Sequence, residues 1–67
     1  MKTNLLKSVL AERGMTAKEL ANKIGMDKSV LSLRMTNKRE FKASEIAKII
    51  DVLRLSNGEA VAIFLER

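Results

Sequence analysis

The sequence has no cysteine, histidine, tryptophan, tyrosine or proline, and only three glycines. Without cysteine there is no disulfide framework and no thiolate nucleophile; without histidine there is no imidazole base and no ordinary zinc ligand set. The absence of tyrosine and tryptophan removes the phenolic group and the larger stacking side chains. Lysines and carboxylates remain as acid and base candidates, but no phosphate loop, metal triad or paired-carboxylate spacing organises them. The chain therefore reads as a non-enzyme with no cofactor, no metal and no small-molecule substrate. No apolar run approaches the roughly 18 residues needed to span a bilayer, and the first residues lack the apolar stretch of a signal peptide. The expected location is cytoplasmic, with no membrane partner.

What is present is a chain of 67 residues, 46% apolar and 31% charged, a balance that suits a globular domain rather than a disordered one. At this length the surface-to-volume ratio leaves room for one core, so residues 1–67 are expected to form a single domain. Thirteen Lys and Arg against eight Asp and Glu leave a net charge of +5. A small basic domain of this kind suits an anionic polymer, with nucleic acid the leading partner.

Apolar spacing and punctuation predict five short helices and no strand. Leu6, Val9 and Leu10 repeat at i, i+3, i+4 in a first helix over about Asn4 to Arg13, stopped by Gly14. Thr16 and Glu19 have the spacing of a capping box, and Met15 with Leu20 that of a hydrophobic staple. Leu20, Ala21 and Ile24 continue the stripe until Gly25 supplies a left-handed stop. Asp27 is the expected N-cap of a third helix from Lys28 to about Met35, with Met26 stapled to Leu31 and Asn37 as the next left-handed stop. For the fourth helix, Phe41 and Ile46 have staple spacing around Lys42, which carries no side-chain acceptor, so either Ser44 is the cap or the cap is missing. Its apolar face is Ile46, Ile49, Ile50 and Leu53. Ser56 and Glu59 form a second capping box, opening a fifth helix that carries Val61, Phe64 and Leu65.

The segment Thr16 to Met35 is thus two short helices joined by a glycine turn, the sequence form of a helix-turn-helix, although a plain αα-hairpin shares that pattern. On the third helix, Lys28, Ser29, Ser32 and Leu33 fall within one arc, while Leu31 and Met35 point the other way. Lys28 has the chemistry to donate to guanine O6 and N7. Ser29 and Ser32 are short enough to let a helix sit deep in the major groove, and Leu33 can touch a thymine methyl. The alternatives at these positions are solvated surface for Lys28, neutral helix filler for the serines, and core or partner contact for Leu33. From Lys28 to Lys42, the cations Lys28, Arg34, Lys38, Arg39 and Lys42 face one anion, Glu40, so this stretch carries +4 of the net charge. Asn37, Lys38, Arg39 and Lys42 lie where a chain leaving the groove passes the phosphate backbone; the alternative is a solvated loop.

The run Thr16-Ala17-Lys18-Glu19-Leu20-Ala21-Asn22-Lys23-Ile24-Gly25, followed by Lys28-Ser29-Val30-Leu31-Ser32, resembles the lambda-repressor and Cro-like helix-turn-helix family of phage and bacterial regulators. The later stretch Asn37 to Phe41, with Glu45-Ile46 and Lys48-Ile49, is similar to small phage-borne members. The resemblance covers nearly the whole chain. It implies an all-α, compact five-helix bundle with the helix-turn-helix formed by helices two and three. It also implies a transcriptional regulator that binds double-stranded operator DNA as a homodimer, in a bacterial cell and at its nucleoid, with the start of helix two, Thr16 and Ala17, against phosphate. Many relatives begin that helix with a glutamine where this chain has Ala17, which leaves Thr16 and backbone N–H groups to hold the phosphate. Thr36-Asn37 stands where an Asn-Gly pair is usual.

A domain this small presents about one module's interface, roughly 600 to 1,000 Å² of protein surface, which points to a dimer for specific binding. With Val61, Phe64 and Leu65 on one arc of helix five and Ile63 away from it, Ile63 is expected to be exposed and central to the dimer contact; packing against helix one is the alternative. The competing function is a helix-turn-helix turned protein-interaction module, such as an antitoxin or antirepressor partner.

Overall fold

In a computed structural model, residues 3–36 and 39–65 are described, and they are all helical with no strand among them. The order is α1 (Thr3–Glu12), α2 (Ala17–Ile24), α3 (Lys28–Met35), α4 (Ala43–Leu53) and α5 (Asn57–Ala60), which continues as one wider π-helical turn over Val61–Leu65. None of these helices is long enough to be stable alone in water, so their apolar stripes must meet. Leu6, Val9 and Leu10 of α1, Leu20, Ala21 and Ile24 of α2, Leu31 and Met35 of α3, and Ile49 and Leu53 of α4 form one buried cluster with Leu55 and Ile63. α2 packs on both α3 and α4, while α1 packs against the π-helical turn.

The turns follow the residues predicted to make them. Gly14 and Gly25 both adopt the left-handed conformation, at φ +63° and +71°, which costs glycine nothing and other residues about 1–2 kcal/mol. Thr16 Oγ1 accepts from Glu19 N–H at 3.1 Å while Glu19 Oε1 accepts from Thr16 N–H at 3.2 Å. Ser56 and Glu59 repeat that box at 3.1 and 3.0 Å. Asp27 stands at the N-cap of α3 in extended conformation, yet its side chain makes no capping bond. Thr36 closes α3 without a left-handed turn, at φ −92°; Asn37, expected as the stop, lies outside the described residues.

One alternative is decided and one expectation is corrected. α4 begins at Ala43 with Lys42 at its N-cap and no side-chain capping bond, so of the two alternatives the side-chain cap is missing and Ser44 does not supply it; Glu45 Oε1 accepts the Lys42 N–H at 2.7 Å. Ile63, expected to be exposed and to carry the dimer contact, is 1% exposed. It shares a small cleft with Leu5 and Val9 of α1, and the π-helical turn packs against that helix. The arc of Val61, Phe64 and Leu65 faces outward instead: Val61 is 43% and Leu65 73% exposed. Phe64 is half-buried, its ring meeting Phe41 edge to face at 5.9 Å and 88°, a favoured aromatic geometry.

At the far end of α4, Arg54 takes the left-handed conformation at φ +52°. Its neighbour Leu55 is turned into the core, donating from its N–H to Ile50 O at 3.0 Å. Arg13, just past α1, donates from Nε to the Leu53 carbonyl at 2.8 Å and lies 3.5 Å from Glu59 Oε1. One side chain therefore joins the ends of α1 and α4 to the start of α5.

Candidate nucleic-acid interface

α3 sits on α2 through Leu31 and Met35, which are 0% and 6% exposed. With that stripe buried, helical phase turns Lys28, Ser29, Ser32 and Leu33 to solvent, and all four are exposed. Leu33 is a large apolar side chain left 40% exposed among polar neighbours. Thr36 falls inside the same arc by phase and is exposed; its hydroxyl donates to Leu33 O at 3.1 Å, and the oxygen retains the capacity to accept. Sequence reasoning passed over Thr36 because it lies at the helix end, although its i+4 spacing from Ser32 was visible.

Beyond α3, Arg39 and Lys42 are exposed, while Asn37 and Lys38 lie outside the described residues. Arg34, counted with these cations by sequence, is not on the surface. It is 9% exposed, with Nε 3.0 Å from Glu45 Oε1. The signal was in the spacing: Leu31, Arg34 and Met35 stand at i, i+3, i+4, the pattern of a buried stripe. A count of charges carries no direction and hid it.

At the start of α2 the Thr16 hydroxyl both accepts from Glu19 N–H and donates to Glu19 Oε1 at 3.1 Å. Its hydrogen bonds are thus engaged within the box. The N–H groups of Ala17 and Lys18, in the first helical turn, have no acceptor inside the helix and point out from its positive end. Among the described residues there is no cluster of carboxylates able to hold a metal ion, and no helix is long and apolar enough to cross a membrane.

Two helices of eight residues, a left-handed glycine between them and a polar outward face on the second are the geometry of a groove-reading pair. The helix-turn-helix family model matches residues 6–56. This chain belongs to the helix-turn-helix family. Within it the chain is of the lambda-repressor and Cro-like type, and the all-helical bundle agrees. The helix-turn-helix family is one of DNA-binding regulators, so double-stranded DNA is the partner to which the α2–α3 unit is suited. Comparison with curated proteins and with solved structures gives no match.

Proposed function

We propose that residues 1–67 form a single DNA-binding domain that recognises a specific operator as a homodimer and regulates transcription in the bacterial cytoplasm. The observation that carries this reading is the two-sidedness of α3: Leu31 and Met35 are buried, while Lys28, Ser29, Ser32 and Leu33 are exposed on one face. In the major groove Lys28 donates to guanine, the serines hydrogen-bond base edges at short reach, and Leu33 packs on a thymine methyl. Arg39 and Lys42, with Asn37 and Lys38 beside them in sequence, contact phosphate, as do the free N–H groups at Ala17, whose helix end Thr16 holds in place.

The second subunit is seated on the outward arc of the last helix rather than on Ile63. Val61 and Leu65 stand there beside Ile46, Ile50, Ala60 and Phe64 in an open apolar groove. A contiguous apolar surface on a small domain marks a contact site, and a copy of the same chain supplies a matching one by two-fold symmetry.

The test is selection from a random duplex pool at near-physiological salt with excess competitor. An enriched inverted repeat, with half-sites about one helical turn apart, is the expected result; no enriched sequence overturns the reading. The double variant Val61→Ser/Leu65→Ser should sediment as a monomer at micromolar concentration while the native chain sediments as a dimer. If the variant still dimerises, the seat is elsewhere.

A further inference from the structure

Arg34 is a buried cation for which the proposed interface has no use. Its Nε lies 3.0 Å from Glu45 Oε1, and that same oxygen accepts the Lys42 N–H at 2.7 Å. The Nε–H is not aligned for a hydrogen bond, and Nη1 is also buried with no hydrogen-bond partner among the described residues. Enclosing a guanidinium in this way is unfavourable, whereas an unbranched apolar side chain of similar length would fill the space without desolvating a charge. The cap of α4 does not require Arg34 either, because an acceptor oxygen at position 45 is enough for Lys42 N–H. Neither packing nor capping accounts for the cation.

Its location does. Arg34 is in the last turn of α3 and Lys42 is the N-cap of α4. Between them runs the segment 36–42, which carries Arg39 and ends on Lys42. One carboxylate oxygen therefore lies against the last turn of the base-reading helix and against the N-cap of the next one. Apolar contacts slide with little penalty, but the attraction between two charges in a low-dielectric interior falls steeply as they part. Phosphate contacts fix the register from which base contacts are made, so their position relative to α3 matters to discrimination.

We propose that the Arg34–Glu45 pair is a positioning clamp, holding the base-reading face of α3 in register with the phosphate-contacting residues Arg39 and Lys42. It sustains discrimination between DNA sequences more than it sustains the fold. The inference rests on the reading of α3 and this segment as the DNA interface.

The decisive protein is the double variant Arg34→Met/Glu45→Gln, in which an apolar side chain replaces the cation and an amide oxygen still accepts from Lys42 N–H. Affinity is measured for the site enriched by the native chain and for a mixed-sequence duplex, beside a thermal melt. The variant is expected to melt no lower than the native chain and to hold the mixed duplex within about twofold. Its preference for the enriched site should fall about tenfold or more, comparable with losing a base contact. An unchanged preference in the folded variant overturns the clamp, as does an equal loss on both duplexes. If the double variant does not fold, Arg34→Met and Glu45→Gln are measured singly, and preservation of the native preference in both has the same consequence. A native chain that enriches no sequence overturns the operator reading itself, and the clamp falls with it.

Discussion

α2 and α3 are equal in length at eight residues each, and they are held by different means. α2 is secured locally: a reciprocal Thr16–Glu19 box opens it, Gly25 at φ +71° closes it, and Leu20, Ala21 and Ile24 are buried. α3 has no side-chain cap bond at Asp27 and no left-handed stop at Thr36, and it stays in place through Leu31, Arg34 and Met35 against the rest of the molecule. The helix proposed to read DNA is therefore held by its buried face rather than by caps at its ends. On that reading its outward side chains are free to be chosen for the groove, while α2 supplies a fixed platform beneath.

The largest effect that sharpens this contrast lies within α3 itself. Leu31 is 0% and Leu33 40% exposed, so Leu31→Ala should cost about 2–5 kcal/mol. Leu33→Ala should stay within about 0.5 kcal/mol of the native stability and weaken binding to thymine-containing sites. Urea titration of both variants checks the first pair of outcomes and duplex binding the second; equal stability losses would break the contrast. A smaller effect separates the two helix starts. Thr16→Ala removes a capping acceptor and should cost about 1 kcal/mol, whereas Asp27→Ala, with no cap bond to lose, should leave the melting midpoint nearly unchanged.

The smallest effect concerns the other box. The Ser56 N–H bonded to Glu59, helped by the charge of Arg13, holds the Glu59 carboxyl below its ordinary value of 4.5, against a smaller opposing influence of burial. Because the folded value is the lower one, this contribution is present above the unfolded value and is lost as pH falls through the folded one. Glu59→Gln should therefore narrow its stability deficit relative to the native chain as the solution is taken from about pH 6 to about pH 3. A deficit that stays constant would show that the carboxylate charge plays no part.

Where local chemistry decided the outcome, the sequence was sufficient. The boxes at Thr16 and Ser56, the glycine turns at Gly14 and Gly25, and the outward arc of α3 all follow from spacing and conformational preference. Where direction mattered, composition misled. The charge count places Arg34 among the surface cations because a charge run has no inside or outside until its helix is docked. The stretch Val61 to Leu65 is apolar at every position, so periodicity marks two arcs without saying which meets the core; docking on α1 chose Ile63. Arg54 gave no signal at all, since a left-handed arginine carries none of the glycine or asparagine that normally marks such a turn.

The burial of Arg34 also bears on how the protein responds to its ionic surroundings. A guanidinium paired inside the fold neutralises no phosphate, and DNA binding releases no counterion on its account. Arg39 and Lys42 are exposed, and with Lys38 they make at most three phosphate-contacting cations per subunit in the 28–42 stretch. With all of them engaged in the proposed dimer, the logarithm of affinity falls against the logarithm of salt with a slope of about −5, where a count that adds Arg34 gives about −7. On the proposed reading, binding is accordingly less sensitive to salt than the basic composition suggests, and a salt titration on the enriched duplex reads that exponent directly.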